Sequence, residues 1–141
     1  MTRAQRGSAL TEFALAWPLI LLLVLSAVQV AVYGVESYSA REAALVGARI
    51  ASERGATLDV AQQAAIRALR PALAGATATP WCPPPPDGER PPPWVWVCGQ
   101  NTPAGVELRV GGQVPPVLPL PGGAALPISA DAQLAREVFA P

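Results

Sequence analysis

The chain has 141 residues, 51% of them hydrophobic, and its ten cations, all Arg, balance ten acidic residues to a formal net charge of zero. It carries no His and no Lys, and Cys82 and Cys98 are its two thiols. That length admits one membrane segment and one small domain. The charge balance supplies no basic field for nucleic acid, and the missing His removes the commonest general base and the usual four-ligand zinc sites.

Residues 1–7, Met-Thr-Arg-Ala-Gln-Arg-Gly, read as a short basic leader. From Phe13 to Val35 follow 23 residues in which Ser26 and Gln29 are the polar interruptions. A helix of that length is roughly 35 Å long, enough to cross a bilayer core of about 30 Å with some tilt. Arg3 and Arg6 precede the run, while Glu36, Arg41 and Glu42 follow it, so the positive-inside rule puts the N-terminus in the cytoplasm and residues 36–141 outside. A secretory signal peptide fits poorly, because its apolar region is shorter and the run offers only a weak cleavage site, within Leu25–Ala31. Pro18 removes a backbone hydrogen bond inside the helix, which predicts a kink or local loosening unless it is simply a tolerated membrane proline.

Glu12 sits at the cytoplasmic lip of the span. After a cut between Gly7 and Ser8, Ser8 would carry a new α-ammonium group with Glu12 four residues further on, on the same helix face. The carboxylate could then meet that ammonium in its own chain or in a neighbour. A charge at membrane depth costs at least ~2.5–3.5 kcal/mol without such help, and the first helical turn favours a negative side chain. Taken alone, Glu12 also fits the interfacial acid of an ordinary single-pass anchor.

Gly7 followed by Ser8-Ala9-Leu10-Thr11, then Glu12-Phe13 and a long apolar helix, resembles the cleavage motif of type IV pilin-like proteins. The longer string of Arg6-Gly7-Ser8, Glu12-Phe13-Ala14-Leu15, Pro18-Leu19, Arg41-Glu42-Ala43-Ala44 and Gly47-Ala48-Arg49 resembles the TadE-like pseudopilins of tight-adherence (Tad/Flp) pilus systems, over residues 6–52. The resemblance implies a minor pseudopilin, cut after Gly7 by a prepilin peptidase and then joined to other pilin or pseudopilin subunits. In it Gly7 is the small residue before the cut, Ser8 the new N-terminus, and Glu12 the group that registers the subunit on its neighbour. Phe13 follows the acid as in the family, Pro18 matches a proline of softened helix, and Arg3 and Arg6 hold the leader inside. The large extracytoplasmic part departs from major pilins and points to a minor or accessory component.

Glu36 to Ser52 reads as the same helix continuing into water, with Tyr38, Ala44 (or Arg41), Ala48 and Ala51 on one face and Val46 with Ile50 as a second apolar pair. That face packs either another subunit's helix or the domain that follows. Gly55 is the stop, and Thr57 caps a second helix over about Leu58–Leu69, with Asp59 in its first turn and Pro71 beyond its end. Val60, Ala64, Ala65, Ala68 and Leu69 supply its expected apolar face.

From Pro80 to Pro93, eight of fourteen residues are proline, which predicts polyproline II, as a stiff loop or as a ligand for an SH3-like partner. Cys82 and Cys98 flank the segment and, outside the cytoplasm, are expected to pair, stabilising the fold by about 3 kcal/mol. Trp94–Cys98 and Val106–Val110 read as strands joined by the loop Gly99–Gly105. Val114–Leu120, with three prolines, reads as an edge strand or extended arm, and Gly111-Gly112 and Gly122-Gly123 as turns. Ser129–Phe139 is either a short helix capped by Ser129 or a strand closing the sheet. Trp81, Trp94 and Trp96 either cover a small core or form a ligand platform. Asp87 and Glu89, in the Pro-rich loop, read as solvated.

The residues contain no catalytic constellation, phosphate-cradling loop or metal cluster, so the chain reads as a non-enzyme without cofactors. The expected fold is α+β: a long N-terminal transmembrane helix extending into a small extracytoplasmic domain with a second helix, a short antiparallel sheet and one disulfide. The expected divisions are a leader at 1–7, a transmembrane helix at 8–35, a helical stalk and second helix at 36–79, and a Pro-rich loop with a small β-rich domain at 80–141. The expected location is the cytoplasmic membrane, crossed once. The expected partners are the membrane, a prepilin peptidase and other pilin or pseudopilin subunits, with no nucleic acid. The alternative is an uncleaved single-pass anchor displaying a disulfide-bonded binding domain.

Overall fold

The structure, a computed structural model, describes residues 3–73, 76–82, 94–116 and 125–136, with side chains from Leu10 onward. A single helix, α1 (Arg3–Ser52), carries the apolar run and continues without a break into the folded part. It passes through Pro18 as helix. Ser26, one of the two polar interruptions, turns its hydroxyl back onto the chain and donates to the Leu22 carbonyl oxygen at 2.7 Å, so the group is satisfied within its own helix.

The C-terminal half of α1 is buried along a face of small residues, Ala40, Ala43, Ala44, Gly47, Ala48 and Ala51. Tyr38, expected on that face, is instead 65% exposed, and Arg41 is exposed as well. The cause is angular: Tyr38 lies two residues from Ala40, about 200° around the helix. Glu36 leads the buried face, one turn before Ala40.

The helix ends where expected, with Gly55 in the left-handed region at φ 82°, which costs glycine no Cβ clash. Helix α2 (Leu58–Leu69) then starts on Thr57, whose Oγ1 accepts from the Val60 backbone N–H at 3.4 Å. Asp59 in its first turn and Arg67 in its last complement the helix dipole. Its buried face is Ala61, Gln62, Ala64, Ala65, Ile66 and Leu69. Val60 and Ala68 are exposed, so the true face is rotated by about one residue from the expected one.

Four strands follow, β1 (Ala78–Pro80), β2 (Val95–Thr102), β3 (Gly105–Val114) and β4 (Leu126–Leu134), hydrogen-bonded in that order. The β2–β3 and β3–β4 pairs are antiparallel, and the short edge strand β1 runs parallel to β2, a pairing that the Pro-rich composition concealed. Pro80 closes this edge strand, a place where a missing N–H is tolerated.

Two local expectations are corrected and one open alternative is resolved. Gly99–Gly105 is not a seven-residue loop: β2 runs on to Thr102, which pairs with Gly105 across the two-residue turn Pro103-Ala104. The Thr102 hydroxyl donates to the Gly105 carbonyl oxygen at 3.3 Å. Gly111-Gly112 is strand and not turn, paired with Trp96 and Val95. Of the two options for the segment after Ser129, the strand is the one formed, by β4. The segments 83–93 (with Asp87 and Glu89), 117–124 (with Gly122-Gly123) and 137–141 lie outside the described residues.

The alternation read at Val106–Val110 holds: Val106, Leu108 and Val110 are buried while Arg109 is exposed. These valines and Leu108 join Val95, Val97, Val114 and Ile128 in one core with the alanines of α1 and α2. Helix α1 packs on β3 and β4, and α2 packs on β1 and β2, so the helices form one layer and the sheet the other. Cys82 and Cys98 form the expected disulfide, with their Cα atoms 4.7 Å apart.

Candidate functional site

The residues singled out for processing and assembly all fall on the first turns of α1. Arg3, Arg6, Gly7 and Ser8 lie within the helix, and Glu12, Phe13 and Pro18 follow on exposed positions. Phe13 stacks on Trp17 one turn later, ring centroids 6.0 Å apart. From Leu10 to Val24 every side chain is exposed, with Leu15, Leu19 and Leu23 each about 70% so. An apolar surface of that extent has no place in water. Alpha1 is long and apolar enough to cross a membrane, the one such helix among the described residues.

The folded domain meets α1 near the C-terminal end of this run. The Tyr33 hydroxyl donates to the Pro127 carbonyl oxygen at 2.9 Å, tying the helix to the start of β4 across 94 residues of sequence. One turn later Glu36 is only 2% exposed, and burial raises its carboxyl above the ordinary range. Sequence reading passed over Tyr33 and took Glu36 as a charge beyond the span, without its burial. The signal for Glu36 was present, since it shares a face with Ala40 and Ala44 at helical spacing.

The three tryptophans of the domain do not cover the core. Trp94 is exposed, and Trp81 and Trp96 are half-buried against each other, with centroids 5.7 Å apart and ring planes at 60°. Trp96 alternates with the buried Val95 and Val97, so it stands on the sheet face turned away from the helices. On that face Arg109 Nε donates to Glu107 Oε1 at 2.6 Å, and Gln100 Nε2 donates to Glu107 Oε2 at 3.3 Å. Asp131 stands opposite Arg109 in the strand register. Among the described residues no group of three or more His, Cys, Asp or Glu is placed to hold a metal ion.

Residues 7–49 match the family model of the TadE-like proteins. The match covers the N-terminal motif, the whole apolar run and most of the buried Ala-rich face, and it stops before α2 and the sheet. No curated protein and no solved structure matches the chain. The TadE-like likeness is thus a property of α1, and the disulfide-bonded domain stands beyond it.

Proposed function

We propose that the protein is a minor, TadE-like pseudopilin of a Tad/Flp-type pilus assembly or secretion system, made as a membrane-held precursor and cut after Gly7 by a prepilin peptidase. The observation that carries this reading is the TadE-like match over 7–49, lying on a helix whose first half is exposed and apolar and whose second half is built into a folded domain. A helix with those two halves suits a subunit that moves from a bilayer into an assembly of similar helices while its domain stays outside. Arg3 and Arg6 keep the leader in the cytoplasm. Removal of residues 1–7 leaves Ser8 as the new N-terminus, and its ammonium group, in the same chain or a neighbouring one, is the partner for Glu12. Residues 8–35 form the membrane segment, and Tyr33 near its outer end is an interfacial tyrosine that holds the domain down on the membrane.

The peptidase must accept the backbone at residue 7 closely, so a bulky side chain there blocks the cut. In cells with an active prepilin peptidase, Gly7→Leu should accumulate the full-length precursor while Glu12→Gln is still processed but fails to co-purify with other pilin subunits. Processing of Gly7→Leu at the wild-type site would remove the assigned role of Gly7.

A further inference from the structure

We propose that the outer face of the sheet is a binding site for an uncharged pyranose glycan, with Trp96 as its stacking platform. The inference does not depend on processing at Gly7, since it rests on the domain beyond the TadE-like match. Beside Trp96 lies a groove of about 360 Å³ bordered by Glu107, Arg109, Ser129 and Asp131. That volume is within the range of small-molecule sites.

The platform is held rigidly. A Cβ at Gly111 would collide with the Trp96 Cζ2 and would lie 2.8 and 2.9 Å from its Cε2 and Cη2, so the benzo ring rests directly on the β3 backbone. Trp81, just beyond the end of β1, closes against Trp96. Its backbone N–H donates to the Val97 carbonyl oxygen at 3.0 Å, and the neighbouring Cys82 is bonded to Cys98, so the disulfide and a ladder bond both fix it there. An indole fixed in this way, on the face opposite the core, presents apolar surface at little entropic cost on binding.

The polar border selects the ligand class. Arg109 carries positive charge beside two carboxylates, Glu107 and Asp131, which leaves no cationic field for nucleic acid or phosphate. The Arg109 Nε–H is committed to Glu107, and the guanidinium's other donors are on its terminal amino groups. Asp131 is exposed and accepts, and the exposed Ser129 hydroxyl does both. One flat apolar surface flanked by donors and acceptors of near-balanced charge matches a pyranose, whose C–H face stacks on an indole while its hydroxyls donate and accept at the rim. A lipid chain would leave the rim unpaired, and a cation would find Arg109 beside it.

The test is titration of the full chain in lipid nanodiscs, free of sugar detergents, with chitotetraose as probe and isothermal calorimetry as readout. Saturable binding is expected, weakened roughly tenfold or more by Trp96→Leu and by Asp131→Asn. Asp131 is at the surface, so its variant should keep the wild-type melting curve and separates lost binding from lost folding. No saturation at millimolar chitotetraose, or equal affinity in both variants and the wild type, would overturn the proposal.

Discussion

Gly47 is the point at which α1, α2 and β3 converge, and it yields the sharpest stability prediction. A Cβ there would run into the Leu108 Cδ2 and would stand 3.1 Å from both the Ala61 carbonyl oxygen and the Ala65 Cβ. Leu108 is fully buried, and neither the α2 backbone oxygen nor the α2 methyl can swing aside, so α1 must shift away from both α2 and β3. Overpacking of this kind costs about 1–3 kcal/mol, while Gly→Ala in a helix interior returns up to about 1 kcal/mol of propensity. Gly47→Ala should therefore lose about 1–2 kcal/mol, and Gly47→Val more. Gly34 is the control on the same helix: a Cβ there meets nothing within 4 Å, so Gly34→Ala should be neutral or stabilising by up to about 1 kcal/mol. Guanidinium unfolding of the chain in nanodiscs, followed by tryptophan fluorescence, reads the difference, because Trp81, Trp94 and Trp96 all lie in the domain. Gly47→Ala as stable as the wild type would mean that helix and sheet do not meet at this glycine, and the packing argument would fall.

Three further outcomes follow from the same structure. Replacing both Cys82 and Cys98 by Ser opens a link spanning 16 residues and should cost about 3 kcal/mol in the same unfolding assay, with no added loss under reducing conditions. Burial lifts the Glu36 carboxyl, so the folded chain holds that proton more tightly than the unfolded one. Its contribution is fully present below the unfolded value and is lost as pH rises through the raised folded value, and Glu36→Gln should abolish that slope in a pH series of unfolding curves. Tyr33→Phe removes a single exposed hydrogen bond to Pro127 and should cost about 0.5–1 kcal/mol, read as faster amide exchange at the start of β4.

Local chemistry was legible where one residue decides the outcome. Thr57 with Asp59 marked the start of α2, Gly55 the end of α1, and the alternation at Val106–Val110 marked β3, because caps and pleats act within a few residues. The disulfide was legible from two cysteines and a topology. What escaped depended on partners distant in sequence. Gly111 looked like a turn residue, yet it lies in a strand because the Trp96 ring needs the space above it. The stretch Gly99–Thr102 looked like a loop, yet it is strand because it pairs with Gly105–Leu108. The tryptophans looked suited to a core, but alanines, valines, leucines and isoleucines fill it, leaving Trp81 and Trp96 to the other face. The N-terminal motif was readable as a string of residues, and the structure adds what the string does not contain: the exposure of the first half of α1 and the attachment of its second half to a domain.

The proposed maturation is tested most directly by the intact mass and N-terminal sequence of the protein extracted from membranes of cells with an active prepilin peptidase. The account predicts a mature chain that begins at Ser8, shortened by the seven residues of the leader. A chain that still carries Arg3 and Arg6 in those cells would contradict it and leave an uncleaved anchor displaying the domain.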